Sequence, residues 1–141
     1  MARIETFGFG DLYAALREMP RPREVKDRML EEGAKIIKEE LKQKADTMLN
    51  GPYYKGDVKA NVIIKEDEED PDSRYVTFPP GKEVHKTDVT PGEIAFVNEY
   101  GAPQRNIKAR PFIETAIETG APEATAAGQE IYEEYLDRIG L

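Results

Sequence analysis

Residues 23–49 read REVKDRMLEEGAKIIKEELKQKADTML, and this segment sets the architecture expected for the chain. Its apolar and small residues recur at spacings of three and four, which is the period of one face of an α-helix. They are Val25, Met29, Gly33, Ile36, Ile37, Leu41, Ala45 and Met48. The opposite face is charged, with an acid one turn before a base at Glu31 and Lys35 and again at Glu40 and Lys44. The pattern predicts a long amphipathic helix.

A shorter helix is expected before it. Phe9, Leu12 and Leu16 recur at helical spacing, and the segment ends by Met19 because a proline follows directly. Just upstream, residues 7–10 read FGFG, but they lack the preceding strand and the third glycine of a dinucleotide-binding turn. Their two phenylalanines are interpreted as hydrophobic anchors, for their own domain in preference to a neighbouring subunit.

Three downstream segments have the composition of β-strands. Residues 58–64 mostly alternate apolar and polar, residues 75–78 are β-branched and aromatic, and residues 94–100 form an apolar run closed by Gly101. The acidic run at 66–72, EDEEDPD, lies between the first two and is interpreted as the solvated connection of a hairpin. These segments predict a small antiparallel sheet.

Two further helices are expected towards the C-terminus. A basic loop, residues 104–110, leads to Pro111, which suits the first position of a helix. That helix is expected to end at Gly120, and the last helix to run from about Pro122 to Arg138. The sum predicts an α+β fold: N-terminal helices including one long amphipathic helix, a small antiparallel sheet, and C-terminal helices packed on the sheet.

Length and charge limit the classes of protein to consider. The chain has 141 residues, 39% of them hydrophobic, so residues 1–141 are expected to form one domain with a modest core. No segment has the apolar length of a membrane span or of a signal peptide, so a cytoplasmic chain without membrane partners is expected. The formal charge is -8, and the acidic excess lies in residues 51–141. Stable nucleic-acid binding needs clustered Lys and Arg and is therefore disfavoured.

The residues that carry enzyme chemistry are scarce. Cysteine is absent, which excludes disulfides, thiolate metal sites and cysteine nucleophiles. The single histidine, His85, has no evident orienting partner, and the single serine, Ser73, lacks the context of a serine nucleophile. We therefore expect no catalytic, cofactor-binding or metal-binding residue and no enzymatic activity.

The acidic run at 66–72 allows three interpretations. Carboxylates bind calcium, but these are contiguous, whereas an EF-hand loop spaces its ligands around a glycine. A solvated hairpin tip is the favoured interpretation. In a ring of several copies, such acidic loops would line or flank a channel, where negative charge keeps DNA from sticking.

Short motifs in the C-terminal half resemble a known family. Residues 95–101 read AFVNEYG, residues 109–113 read ARPFI, and Ala116 follows. In this order, behind a long N-terminal helix, they resemble the minor tail-component proteins of lambdoid siphophages, which are neck or tail-completion proteins. The resemblance implies a non-enzymatic structural virion protein that joins head to tail or finishes the tail tube.

The resemblance also implies partners and an interface. Several copies would surround the tail axis as a homo-oligomeric ring, a hexamer being one candidate, with DNA passing through it and with neighbouring neck or tail-tube proteins as partners. The protein would reside in the virion, and in the host cytoplasm before assembly. The candidate interface residues are Phe9, Glu99, Tyr100, Arg110 and Phe112. Glu99 and Arg110 are expected to form an ion pair across the loop, as a brace within the domain in preference to a contact between ring neighbours.

Two other functions are weighed against the ring. A small cytoplasmic adaptor without catalytic activity would bind a host or phage protein through its helical faces. A small hydrolase is the weakest alternative, because the chain offers so few nucleophiles and bases. The mass of the purified protein, alone and with tail tubes, separates the ring subunit from the adaptor.

Overall fold

The elements below come from a computed structural model, which describes residues 2–3, 23–49, 56–79 and 89–140. In chain order the helices are α1 (Arg23–Met48), α2 (Asp57–Ala60), α3 (Pro91–Tyr100) and α4 (Phe112–Arg138), and the strands are β1 (Ala2–Arg3), β2 (Ile63–Glu66) and β3 (Arg74–Thr77). The predicted short helix between Phe9 and Met19 lies outside the described residues. None of the described helices combines the length and the apolar composition that a membrane crossing requires.

Helix α1 confirms the long amphipathic helix, and its apolar stripe forms one wall of the core. Its fully buried side chains include Ile37 and Leu41. Ala34 and Ala45, one turn before and one turn after them, are buried on the same face. The helix ends where Leu49, also buried, still donates its N–H to the carbonyl of Ala45 at 3.0 Å.

Helix α4 is one continuous helix, so the predicted division at Gly120 is wrong. Gly120 is buried, and a Cβ placed there would lie 3.0 Å from Cδ1 of Ile37 and 3.1 Å from Cγ of Glu40. The glycine therefore serves close helix packing instead of helix termination. Pro122 is exposed, so the backbone bond that it removes falls on the solvent side of the helix, where water can satisfy the free carbonyl.

The α1 and α4 helices pack antiparallel along their lengths. Gly120 lies opposite Ile37, a Cβ on Gly33 would lie 3.8 Å from Cβ of Ala124, and Arg28 lies 3.8 Å from Glu134. The α+β class is confirmed, but the C-terminal helix packs on α1, whereas we expected it on the sheet. The reason is that both helices carry a full-length apolar stripe, and each buries more of it against the other than a short hairpin could cover.

The β2 and β3 strands form an antiparallel hairpin in which Ile64 pairs with Val76. Strand β1 pairs with the other edge of β3, giving the order β1-β3-β2. The predicted strand at 75–78 and the hairpin connection through the acidic run are confirmed. The predicted strand at 58–64 is wrong in its first half, because Asp57–Ala60 makes a helical turn that buries Val58. The alternating pattern there reflects one buried valine and not a pleated backbone.

Helix α3 occupies the segment predicted as a third strand, so that prediction is wrong. The hydroxyl of Thr90 accepts the N–H of Glu93 at 3.2 Å, and the Glu93 carboxylate accepts the N–H of Thr90 at 3.2 Å. This capping box, with Pro91 in the first helical turn, starts a helix in a run whose apolar composition favours a strand.

Arg74 attaches the hairpin to α1. Its side chain is 5% exposed; Nε donates to Glu31 at 2.9 Å and Nη2 to Asp27 at 3.0 Å. Nη1 donates to the carbonyl of Ser73 at 2.9 Å and, more weakly, to that of Pro71 at 3.3 Å. Burial alone would lower the pKa of Arg74, but hydrogen bonds and attraction from Glu31 and Asp27 outweigh it, so the pKa is raised and the guanidinium stays charged.

We expect Gly120→Leu to lower the free energy of unfolding by about 1–3 kcal/mol, because the new side chain must displace Ile37 and Glu40 from a close contact. Urea denaturation followed by circular dichroism measures it. The matched control is Thr119→Leu, one residue earlier on the exposed face, with an expected change within about 0.5 kcal/mol. Equal effects of the two substitutions would contradict the packing role of Gly120.

We expect Arg74→Lys to lower the free energy of unfolding by about 1–2 kcal/mol, because an ammonium group cannot reproduce the forked pairing with both α1 carboxylates. Arg23→Lys is the control: Arg23 also pairs with Asp27 and with Asp72, but its side chain is 43% exposed. Exposed pairs contribute little, so a change below about 0.5 kcal/mol is expected there. Thermal melts of both variants decide, and an unchanged Arg74→Lys melt would show that the attachment does not need the fork.

Candidate functional site

An exposed aromatic pair lies on α3. Phe96 and Tyr100 are one helical turn apart, 62% and 67% exposed, with ring centroids 4.8 Å apart and ring planes at 51°. The same helix buries Pro91, Ala95 and Glu99 on its inner face. Because those buried positions follow the helical period, the two aromatic rings are directed outwards together.

A basic loop follows the aromatic pair directly. Arg105, Lys108 and Arg110 are all exposed, and the sequence between Tyr100 and Glu114 contains no acidic residue. A pair of backbone bonds between Ala102 and Ile107, at 2.9 and 3.0 Å, closes its tip. The side chains of this loop therefore project from a fixed backbone beside the aromatic rings.

Glu99 caps α4 from α3. Its carboxylate accepts the backbone N–H of Ile113 at 2.7 Å and that of Glu114 at 3.1 Å. These are N–H groups of the first helical turn, which have no partner within the helix, and Pro111, the residue at the cap position, supplies no side-chain bond. The carboxylate therefore satisfies two free donors and places a negative charge at the positive end of the helix.

The predicted ion pair between Glu99 and Arg110 is wrong. The Glu99 carboxylate is buried and bound to the α4 backbone, while the Arg110 side chain is exposed. Arg110 contributes through its backbone, whose N–H donates to the carbonyl of Asn98 at 2.6 Å. Glu99 is nevertheless a brace within the domain, because the helix terminus attracts its charge in place of a guanidinium.

The other candidate interface residues separate into two environments. Phe112 is fully buried, in the core with Leu41 and Ala116, so in a single copy it presents no surface to a neighbour. Tyr100 is exposed on α3. Phe9 lies outside the described residues. Phe96 was absent from the predicted interface, and the spacing of four between Phe96 and Tyr100 is the signal that would have found it once the segment is treated as a helix.

An apolar groove runs between α3 and the end of the hairpin. Its volume is about 1050 Å³, and its walls include Phe78, Ile94 and Ile113, with Phe96 and Arg105 at its border. Pro79 and Val89 also line it.

Glu99 accepts hydrogen bonds from backbone N–H groups, and the side chains of Arg105, Lys108 and Arg110 are exposed to solvent. Among the described residues, no set of three or more His, Asp or Glu side chains is arranged to hold a metal ion. His85 lies outside that part of the chain. The arrangement presents two exposed aromatic rings and three exposed cations on a backbone that Glu99 braces.

We expect Glu99→Gln to lower the free energy of unfolding by about 1–2 kcal/mol, because the isosteric amide keeps one acceptor but loses the charge at the helix terminus. The control is Glu114→Gln, an exposed acid in the same helical turn, with an expected loss of a few tenths of a kcal/mol. Chemical denaturation compares them. If Arg110→Ala were as destabilising as Glu99→Gln, the side-chain ion pair would have to be reinstated.

Comparisons with known proteins add no further constraint. No family model matches the chain, and neither the curated proteins nor the solved structures contain a match. The functional interpretation of the site therefore depends on its own residues: the Phe96–Tyr100 pair, the basic loop beside it, and the cap that Glu99 places on α4.

Proposed function

We propose that this chain is a structural virion protein of a tailed phage or prophage, acting in head-tail joining or tail completion as a subunit of a homo-oligomeric ring. The observation that carries the proposal is the exposed Phe96–Tyr100 pair beside Arg105, Lys108 and Arg110. Aromatic residues and arginine are the types that dominate the energetic centres of protein interfaces. A face of this composition supports binding to protein.

The proposal is further supported by the roles of the motif residues in the fold. The segment that resembles the phage family contributes a cap through Glu99, a core side chain through Phe112 and two exposed rings through Phe96 and Tyr100. A rigid helix that presents aromatic rings loses little side-chain entropy when it binds, which favours association with a protein partner. No step of the proposed role requires a cofactor.

The partners follow from the same proposal. Copies of the chain form the ring, and neighbouring neck or tail-tube proteins bind its faces. The protein is in the host cytoplasm before assembly and in the virion afterwards. DNA passes through the ring without being gripped, because the chain carries a net charge of -8 that opposes stable binding to phosphate.

We expect Phe96→Ala combined with Tyr100→Ala to leave the monomer folded and to weaken self-association by about 30-fold, the effect of losing roughly 2 kcal/mol at an interface centre. Both rings are exposed, so the core is untouched. Light scattering measures the mass, and negative-stain imaging with tail tubes of the encoding phage scores rings and tube-end caps.

The matched control is Ile139→Ala, which removes an exposed apolar side chain at the far end of α4, 49% exposed, and should change neither readout. Normal rings from the folded double variant would contradict the interface assigned to α3. A wild-type protein that stays monomeric, forms no caps on tail tubes and binds one foreign protein instead would favour the adaptor.

A further inference from the structure

Two surfaces of opposite charge consist of side chains that take no part in the ion pairs found among the described residues. We call the exposed carboxylates of Glu66, Glu68 and Glu69 the acidic turn. The exposed cations of the basic loop are Arg105, Lys108 and Arg110. The ion pairs formed among the described residues use none of these six side chains. Both surfaces therefore keep their charge for a partner.

The two surfaces lie at opposite ends of the α1/α4 pair. The hairpin connection is fixed to the start of α1, where Asp72 pairs with Arg23 at 2.9 Å and Arg74 with Asp27 at 3.0 Å. The basic loop instead precedes Phe112, the first residue of α4. Because α4 runs antiparallel to α1 with Gly120 opposite Ile37, Phe112 lies near the end of α1. A rise of 1.5 Å per residue puts the two surfaces on the order of 30 Å apart.

We propose that the acidic turn of one copy docks on the basic loop of the next copy, head to tail, with Phe96 and Tyr100 as the apolar centre of the contact. This contact rests on the ring proposed above and specifies how its subunits join. Surfaces this far apart cannot pair within one copy. Once two copies are joined, each still has one unused surface, so the contact can repeat, and a rotation between neighbours that closes on itself gives the proposed ring.

Charge also opposes the main symmetric alternative. A two-fold contact through the aromatic pairs would bring one basic loop against another, and like charges held together in an interface are unfavourable. The head-to-tail arrangement pairs each cation with a carboxylate instead. Because the pairs form at the edge of an aromatic centre, they set register and direction while the rings supply the buried area.

The acidic end of the domain also contains carboxylates on α4, and these provide a matched control. Glu130 and Glu133 are exposed on the half of α4 that lies beside the start of α1, as the proximity of Arg28 and Glu134 shows. Like Glu68 and Glu69, they are two carboxylates with the same charge, and they lie at the same end of the domain. Only their position distinguishes them from the acidic turn.

A charge-swap experiment tests the contact. Glu68→Lys/Glu69→Lys replaces two of the three carboxylates of the acidic turn with cations, and Arg105→Glu/Arg110→Glu replaces two of the three cations of the basic loop with carboxylates. Each variant alone should lose at least about tenfold in self-association, by mass photometry at physiological salt, whereas an equal mixture should assemble with the two variants alternating. Glu130→Lys/Glu133→Lys should assemble as the wild type does. Assembly of either swap variant alone, or a mixture that stays dispersed, would overturn the contact.

Disulfide trapping tests the geometry directly, because the natural chain has no cysteine. Glu68→Cys combined with Lys108→Cys places two thiols too far apart to join within one copy, since a disulfide needs Cα atoms within about 7 Å. Mild oxidation should give a ladder of covalent multimers on a non-reducing gel, and each single variant should give none.

The failures of the contact and of the ring are distinguishable. Particles of ring mass without a covalent ladder would overturn the head-to-tail contact and leave the ring intact. Covalent dimers from Lys108→Cys alone would replace it with a two-fold contact. A wild-type chain of monomer mass, both alone and with tail tubes, would overturn the ring and the contact together.

Discussion

The close packing of α1 on α4 at Gly33 and Gly120 is the constraint on which the rest of the structure depends. Each end of this helix pair carries one further unit, and a buried charged side chain contributes to each attachment. At one end Arg74 ties the hairpin to the first turns of α1, and at the other Glu99 ties α3 to the first turn of α4. Both side chains are buried, and each is hydrogen-bonded to one helix of the pair, as a buried charge requires.

The elements that could be predicted are those whose periodicity is long and one-sided. Helix α1 repeats its apolar stripe over several turns, and β3 is a short β-branched run bounded by proline, so local pattern and tertiary burial agree. The pattern failed at α3, where an apolar run typical of strands is overridden by the capping box of Thr90 and Glu93. It failed again at Gly120, because glycine is used both at the end of a helix and where two helices pack closely. Only the position of the partner helix distinguishes the two cases.

The composition of the candidate site was predictable in part, since Tyr100 and Arg110 are exposed as expected but Phe96 was missed, and the pairing of Glu99 was not predictable. Glu99, Tyr100 and Arg110 were candidate interface residues, and they lie within the end of α3 and the loop that follows it. The sequence could not show that the Glu99 carboxylate binds the backbone N–H groups at the start of α4 and not the guanidinium of Arg110. Phe112 illustrates the converse: the resemblance made it a candidate interface residue, whereas the first turn of α4 directs it into the core.

Gly101 lies where α3 ends and the basic loop begins, against the backbone of Ile107 and Ala109. Its φ is +75°, and a Cβ there would lie 2.8 Å from the N of Ala109 and 2.9 Å from the carbonyl O of Ile107, so the loop crosses itself at a point where only glycine fits. The bridge between Ala102 and Ile107 closes the tip beyond that crossing. Asn106 has a φ of +55°, which few residue types tolerate, but Gln104 and Arg105 are exposed, so changes in these two side chains alter what the tip displays while α3 and α4 keep their places. The surface at this end of the molecule can therefore change in charge and shape with little effect on folding stability.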